Sequence, residues 1–301
     1  GSIYLSHGGT EMGQGLFVKV AQVVANEFGV ELDRVKVSAT STAKVPNTSA
    51  TAASSGSDLN GMAAKDACMR IKKNLVAFAR KRYNIKEDEI VYSNSHVLLG
   101  GKKISFNKFI SSAYFNRVEL FSNGYYKTPK IHYDEINAYG RPFYYYSYGA
   151  CLSEVVVDCL TGEYKLTKVD ILHDVGASIN PGIDYGQIVG GFIQGMGWLC
   201  SEELKWDDSG KLLTTGASTY KIPSIGDTPE HFNVKIKPDT SNHEDTIHKS
   251  KAVGESPLML AISVWIAIKN AISYAEQGRA SELNAPASFE EVFFCLNNLN
   301  N

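Results

Sequence analysis

Glu255 stands in the run Lys251-Ala252-Val253-Gly254-Glu255-Ser256-Pro257-Leu258, bracketed by Gly254 and Pro257. An apolar stretch with helical character, 258–274, follows at once. A lone acid held by a tight turn against an apolar wall suits proton transfer, because partial desolvation makes a carboxylate a better proton acceptor. An acid beside a helix start serves equally well as a dipole partner or a cap. The run by itself leaves both roles open.

Other segments carry residues that could hold a ligand. The loop Gly8-Gly9-Thr10-Glu11-Met12-Gly13-Gln14-Gly15 lacks both the G-x-x-x-x-G-K-[ST] and the G-x-G-x-x-G phosphate patterns. Glycines still let backbone N–H groups approach an anion, and a helix start adds positive potential. Gln14 offers an amide that both donates and accepts. A plain strand-to-helix turn fits the loop as well. The segment 51–57, Thr-Ala-Ala-Ser-Ser-Gly-Ser, sets small side chains and hydroxyls before a long helix. It reads as a phosphate or pterin cradle, or as an ordinary capping loop. Gln194 lies in a glycine-rich helical stretch and reads as a ligand contact or a helix-packing hydrogen bond. Glu11, Glu202 and Glu203 read as structural. The histidines form no H-E-x-x-H or H-x-H pattern, and no serine lies in G-x-S-x-G. The five cysteines are widely spaced, with no C-x-x-C pair. They fit neither a zinc nor an iron–sulfur site, and read as buried, reduced thiols of a cytoplasmic protein.

The elements that must position these residues follow from periodicity. A strand at 3–6 leads through the glycine loop to a helix at 16–28, stopped by Gly29. A short strand at 35–39 and a polar stretch at 45–57 precede a helix from about 57 to 82. Hairpin strands at 90–92 and 96–99 and a helix at 106–118 form an insertion, about 84–118. The stretch 121–139 reads as an aromatic loop. Strands at 143–158 and 164–173 flank the turn Leu160-Thr161-Gly162-Glu163. A helix over 183–201 carries Gly186, Gly190, Gly191, Gly195 and Gly197. Each costs about 1 kcal/mol relative to alanine, which implies close packing against a backbone or a ligand. A strand at 232–236, a helix at 256–275 and a short helix within 290–301 complete the chain.

The whole is an α+β chain of two units, 1–145 and 146–301. Each runs strand, glycine-rich turn, helix, strand, polar loop, long helix. This faint echo suggests two related units facing one site.

With 301 residues, 44% hydrophobic, the chain can bury a large core. Its 32 acids and 30 bases are interspersed, and the net charge of −2 gives no footing for nucleic acid. The most apolar run, 258–268, is too short to cross a membrane. No basic leader precedes Ile3, and the chain opens on a strand already under way, as a piece of a longer polypeptide would.

Six motifs in register carry a resemblance. They are the Gly8 to Gly15 loop, Val45-Pro46-Asn47-Thr48-Ser49, Thr51-Ala52-Ala53-Ser54, Tyr126-Lys127-Thr128-Pro129, Ser218-Thr219-Tyr220-Lys221-Ile222-Pro223 and Lys251-Ala252-Val253-Gly254-Glu255. Together they resemble the xanthine dehydrogenase branch of the molybdenum hydroxylases, in the C-terminal part of the molybdopterin-binding subunit. The 84–117 insertion looks like the bacterial form. The resemblance implies two related mixed α/β subdomains of a molybdenum-cofactor-binding domain. It implies a molybdenum–molybdopterin cofactor lined by Gly13, Gln14, Ala53, Ser54, Gln194 and Gly254, with no metal ligand from the chain. Glu255 would be the general base in hydroxylating hypoxanthine and xanthine to urate with water as the oxygen source. Electrons would leave through 2Fe-2S clusters and FAD, held in other domains or subunits, to NAD. The family's substrate-stacking aromatics, its substrate arginine and its second glutamate match nothing in this chain, so the piece alone is expected to be inactive; the full enzyme is expected to be an oligomer. An aldehyde oxidase-like hydroxylase and a non-catalytic cofactor-binding or assembly module stand as alternatives.

Overall fold

The computed structural model describes residues 1–45, 47–275 and 283–297. Two units divide them: residues 1–145 with 242–250, and residues 146–241 with the chain from 251 on. The sequence reading places 242–250 in the second unit. Its side chains say otherwise: Ile247 is fully buried, and it fills the space that a side chain at Gly61 would need.

In the first unit, β1 (Ile3–Leu5), α1 (Leu16–Phe28) and β2 (Val35–Val37) form a crossover. β1 and β2 pair in parallel, with Ile3 opposite Val35 and Leu5 opposite Val37. α1 ends at Gly29, whose φ of 58° is a left-handed conformation that glycine adopts without penalty. The Val30 N–H then reaches back to the Ala25 carbonyl at 3.0 Å and closes the last turn. Leu16, Val20, Val24 and Phe28 form the buried stripe of α1. They share a core with Ala64, Cys68, Leu75 and Ala79 of α2 (Gly56–Tyr83). Asp58 in the first turn of α2 and Arg80, Lys81 and Arg82 in the last complement its dipole.

The insertion is a meander of β3 (Ile90–Ser93), β4 (His96–Leu99) and β5 (Lys102–Ser105), followed by α3 (Phe106–Phe115). Val97 and Leu99 point into the core and fix its register. The stretch read as an aromatic loop holds a small hairpin, β6 (His132–Asp134) with β7 (Tyr139–Arg141). Its strands are three residues long and mostly exposed, so no alternation announces them.

The second unit begins with β8 (Gly149–Val157) and β9 (Tyr164–His173), antiparallel with a register shift between Glu154 and Val155. Next come α4 (Pro181–Cys200) and β10 (His231–Ile236), which pairs in parallel with β9. Val169 and Ile171 of β9 and Ile188, Phe192 and Met196 of α4 make the core with Val264, Ile268 and Ile272. The 256–275 stretch is two helices, α5 (Ser256–Leu260) and α6 (Ile262–Ala275). At the break, Ala261 N–H bonds to the Leu258 carbonyl, a tighter turn than an α-helix makes. Gly195 of α4 passes in close contact with that same carbonyl. The interruption therefore sits where another backbone crosses. α7 (Phe289–Leu296) ends the described chain.

Two sequence expectations need correction. Taken together, Ser256–Ala275 is long and apolar enough to cross a membrane, with a mean hydropathy of 1.5. Val264, Ile268 and Ile272 are nevertheless buried in the second unit's core, so one face of it packs as core, while Met259, Ile262 and Ile266 are exposed. All five cysteines are free, but only Cys68, Cys200 and Cys295 are buried; Cys151 is half-buried and Cys159 exposed. Cys159 lies in the β8–β9 turn, away from any core.

Candidate active site and cofactor loops

In the first unit the loop between β1 and α1 folds around its own acid. Glu11 Oε1 accepts from the N–H of Gly13 at 2.9 Å and Gly15 at 3.0 Å, and Oε2 accepts from Phe17 N–H at 2.9 Å. Burial opposes the charge, but these backbone donors outweigh it and hold the carboxyl below its ordinary range. The start of α1 thus already has its anion. The backbone amides that the sequence reading offered to a ligand anion are largely committed to Glu11.

The glycines of this loop differ in purpose. A side chain at Gly8 would collide with Thr48, and one at Gly9 with Leu16 and Asn60. Gly9 N–H donates to Asn60 Oδ1 at 3.0 Å, and Thr10 N–H donates to Thr51 Oγ1 at 2.8 Å. The β1–α1 loop is therefore stitched to the loop before α2. Gly13 has a φ of +100°, and the space where a Cβ would stand is empty. Gln14 bridges the loop: its Nε2 donates to Thr10 O at 2.8 Å, and its Oε1 accepts from Met12 N–H at 2.6 Å. One amide proton and one lone pair remain for another partner.

Ala53 and Ser54 are both left-handed, with φ of 58° and 50°. Two successive non-glycine residues in this region cost on the order of 1 kcal/mol each. The Ser54 hydroxyl is buried with no hydrogen-bond partner among the described residues. Strain, an orphaned hydroxyl and the open space beside Gly13 fit loops that close on a polar organic ligand. A cavity of about 1280 Å³ also lies in the first unit. Gly8, Gly9, Thr51, Ala52 and Ser55 line it, so it adjoins the two stitched loops, though Gly13, Gln14, Ala53 and Ser54 are not among its lining residues. Behind the loop, Asp58 accepts from the Tyr145 hydroxyl at 2.5 Å. Burial pushes its carboxyl up to about 6, against the pull of the Tyr145 bond and Lys19.

In the second unit Glu255 precedes α5 and is exposed. The desolvation expected from the sequence is not supplied by this unit. Among the described residues none donates a hydrogen bond to its carboxylate; its neighbours are held instead. Lys251 Nζ donates to Asp174 Oδ2 at 2.6 Å, with side chains only 5% and 10% exposed, and sits 4.9 Å from the Tyr148 ring centre. Lys251 N–H donates to Val175 O at 2.7 Å. Ser147 Oγ donates to Ala252 O at 2.8 Å. On the far side, Ser256 Oγ and His173 Nε2 share a hydrogen bond of 2.9 Å. Burial lowers the His173 imidazole, keeping it neutral at pH 7. For Asp174, burial is outweighed by Lys251 and the Gly176 N–H, so its carboxyl stays below the ordinary range.

The glycines of α4 answer the packing question raised by the sequence. Gly191 faces Pro257 Cβ, 3.1 Å from where its own Cβ would be, and Gly195 faces Leu258 and Ala261. They let α4 pass against the segment just after Glu255. Gly186 and Gly190 face open space, and Gln194, four residues on, is exposed. Gly254 is exposed as well. Gly13, Gln14, Ala53 and Ser54 thus gather on two stitched loops of the first unit, while Gln194, Gly254 and Glu255 belong to the second. Pro46, within one of the six motifs, lies outside the described residues.

The sequence profile of the molybdopterin cofactor-binding domain matches residues 1–229. The chain belongs to this family. Glu255 lies beyond the matched residues, but longer alignments include its neighbourhood. Xanthine dehydrogenase of Oryza sativa subsp. japonica is 43% identical over 303 residues, covering 97% of this chain and 21% of the relative. Xanthine dehydrogenase/oxidase of Gallus gallus is 44% identical over 296 residues, 97% of this chain and 20% of that protein. The chain thus spans about a fifth of the length of the curated relatives it matches. Among solved structures, reconstituted CO dehydrogenase from Oligotropha carboxidovorans superposes with a TM-score of 0.82 at 21% identity, over 99% of this chain and 36% of that one. Quinoline 2-oxidoreductase from Pseudomonas putida 86 gives 0.82 at 23% identity, over 99% and 37%. These two likenesses establish the mixed helix-and-sheet fold of the family.

Sequence reasoning named Lys251 only as part of a motif and left His173 among histidines that form no metal-binding pattern. It did not single out Asp174. The available signal was adjacency: His173 and Asp174 close β9, where a strand end feeds a loop.

Proposed function

We propose that this chain is the C-terminal part of the molybdopterin-binding region of a xanthine dehydrogenase. In the complete enzyme, hypoxanthine and xanthine are hydroxylated to urate with water as oxygen source and NAD as final acceptor. The observation that carries the reading is identity of 42–44% to xanthine dehydrogenases across 95–97% of this chain. Other domains or subunits, with 2Fe-2S and FAD, complete the electron path, and the complete protein is oligomeric. Free thiols, one of them exposed, suit a reducing cytoplasm.

The bound molybdenum–molybdopterin supplies the redox centre that accepts electrons from the substrate. This chain's residues contribute part of what remains, and the rest of the enzyme supplies the groups that stack and orient the substrate. In the first unit, Gly13 leaves room for the ligand, Gln14 offers its spare amide proton and lone pair, and Ala53 and Ser54 present a strained turn with an unpaired hydroxyl. In the second, Gln194 and Gly254 contribute an exposed amide and an open backbone. Glu255 takes the proton released as the water-derived oxygen is transferred, a step worth about 10²–10⁴ in rate for a positioned base. Its exposed carboxylate leaves both oxygens available for that transfer.

The test is Glu255→Gln in the complete, cofactor-loaded protein. Turnover of xanthine should fall by about 10³ with the cofactor retained. Turnover within a few-fold of wild type, with molybdenum bound, would overturn the base assignment. A complete protein that oxidises aromatic aldehydes but not xanthine would favour the aldehyde oxidase-like alternative. One that binds cofactor and oxidises neither would favour an assembly module. The isolated chain should show no xanthine oxidation, and detectable turnover by it would refute that expectation.

A further inference from the structure

The loop carrying Glu255 is held in an unusual way. The tethers act on residues within four positions of Glu255, and they lead back to residues at or near the start of β8 and the end of β9. Lys251 is fixed through its ammonium to Asp174 and through its N–H to Val175 O. Ala252 is fixed through its carbonyl to Ser147. Val253 is buried. Beyond the carboxylate, Ser256 is fixed to His173. Residues 173 and 174, consecutive at the end of β9, therefore hold both flanks of a short loop and leave the glutamate side chain unbonded.

We infer that the His173-Asp174 dipeptide is a positioning element for Glu255. It restrains the backbone on each side so that an exposed carboxylate keeps one location without spending its own lone pairs. This inference rests on the reading of Glu255 as the base. A base must be held close to the proton it takes, and a misplacement of about 1 Å costs on the order of 10² in rate. The usual way to hold a carboxylate is to hydrogen-bond it, which also makes it a weaker base. Restraining its neighbours avoids that conflict. The chemistry of the two anchors is complementary. The Lys251–Asp174 pair is almost fully buried and charge-assisted, so it is strong and hard to displace. The His173–Ser256 bond joins a neutral imidazole, 0% exposed, to the first residue of α5. It ties the helix start to the same strand end.

The experiment compares Ser256→Ala, Ser256→Thr, Asp174→Asn and Glu255→Gln in the complete, cofactor-loaded protein. Steady-state kinetics and amide hydrogen exchange of 251–256 are read together. Ser256→Ala should lower kcat about three- to tenfold with KM within twofold of wild type, and should speed exchange in 251–256 at least tenfold while β9 stays protected. Ser256→Thr, which keeps the hydroxyl, should restore both. Asp174→Asn should lower kcat by about 10². Because it leaves Lys251 buried without its counter-charge, it could fail to fold, and the Ser256 pair then decides the matter. Wild-type exchange and wild-type kcat in Ser256→Ala, alongside lost turnover in Glu255→Gln, would overturn the positioning role alone. Full turnover in Glu255→Gln would overturn the base reading and this inference with it.

Discussion

Glu11 and Glu255 each follow or precede a glycine-rich turn at the start of a helix, yet the two units treat them in opposite ways. Glu11 is solvated by its own loop, with three backbone N–H groups on its two oxygens. Glu255 receives none, while residues on both sides of it are anchored. The same contrast appears in the crossovers around them. β1–α1–β2 and β9–α4–β10 are both parallel strand–helix–strand units. In the first, glycines lie in the loop and shape a turn. In the second, they lie on the helix and let it approach Pro257, Leu258 and Ala261. A carboxylate that its own backbone satisfies is a structural part. One whose surroundings are fixed while it remains unbonded is available for chemistry.

The sharpest way to break this comparison is to exchange each carboxylate for an amide. Glu255→Gln should cost about 10³ in turnover and leave stability within about 0.5 kcal/mol, as expected for an exposed side chain. Glu11→Gln should do the reverse, lowering stability by about 1–3 kcal/mol through weakened charge-assisted bonds. Its kcat should change far less. Thermal unfolding and steady-state assays of both variants decide it, and equal effects in the two would erase the distinction.

Next in size are the glycines of α4. Gly195→Ala should destabilise the protein by about 2–3 kcal/mol, because Leu258 and Ala261 occupy the space. Gly190→Ala, facing open space, should stabilise it by up to about 1 kcal/mol. Urea denaturation measures both. Destabilisation by Gly190→Ala would mean that something covers this face in the protein in solution.

A smaller effect sharpens the contrast among carboxylates within the first unit. Asp58 is raised by burial from 3.8 to about 6, so the folded protein holds its proton more tightly than the unfolded chain does. Stability should therefore fall as pH rises from about 4 to about 6, by on the order of 3 kcal/mol, and level off above. Asp58→Asn should remove that slope. Glu244 behaves with the opposite sign. Lys130 and Arg141 hold it at about 2, below its ordinary 4.5. Its contribution is present above about 4.5 and is lost as pH falls toward 2, and Glu244→Gln should flatten that acid limb. Unfolding midpoints across pH 2–7 test both slopes.

What could be read from the sequence was local. α1 ends at Gly29 and β9 runs from Tyr164 to His173 in both readings, because a glycine stop and an alternating strand are written in adjacent residues. The break at Ala261 was not legible, since its cause is Gly195, far away in sequence. The β6–β7 hairpin was missed because it is short and exposed. At the site, the Gly8 to Gly15 loop and Glu255 stood out by composition. That Glu11 would take up the loop's amides depends on backbone direction, which composition does not encode. The Lys251–Asp174 and His173–Ser256 pairs span 77 and 83 residues, and pairing across such distances leaves no local mark. The expected desolvation of Glu255 failed for a similar reason: Ala261, Val264 and Ile268 turn to the core while Met259, Ile262 and Ile266 are exposed, and Glu255 itself stays exposed.

The chain enters the second unit at Tyr146, returns to the first for 242–250 and leaves again at Lys251. A gene cut after codon 145 would therefore deliver a first half without Ile247 and without the acid that joins Lys130 to Arg141. Shearing the protein into its two halves by a single proteolytic nick is ruled out by this threading. Nine residues in transit make the halves one inheritable piece.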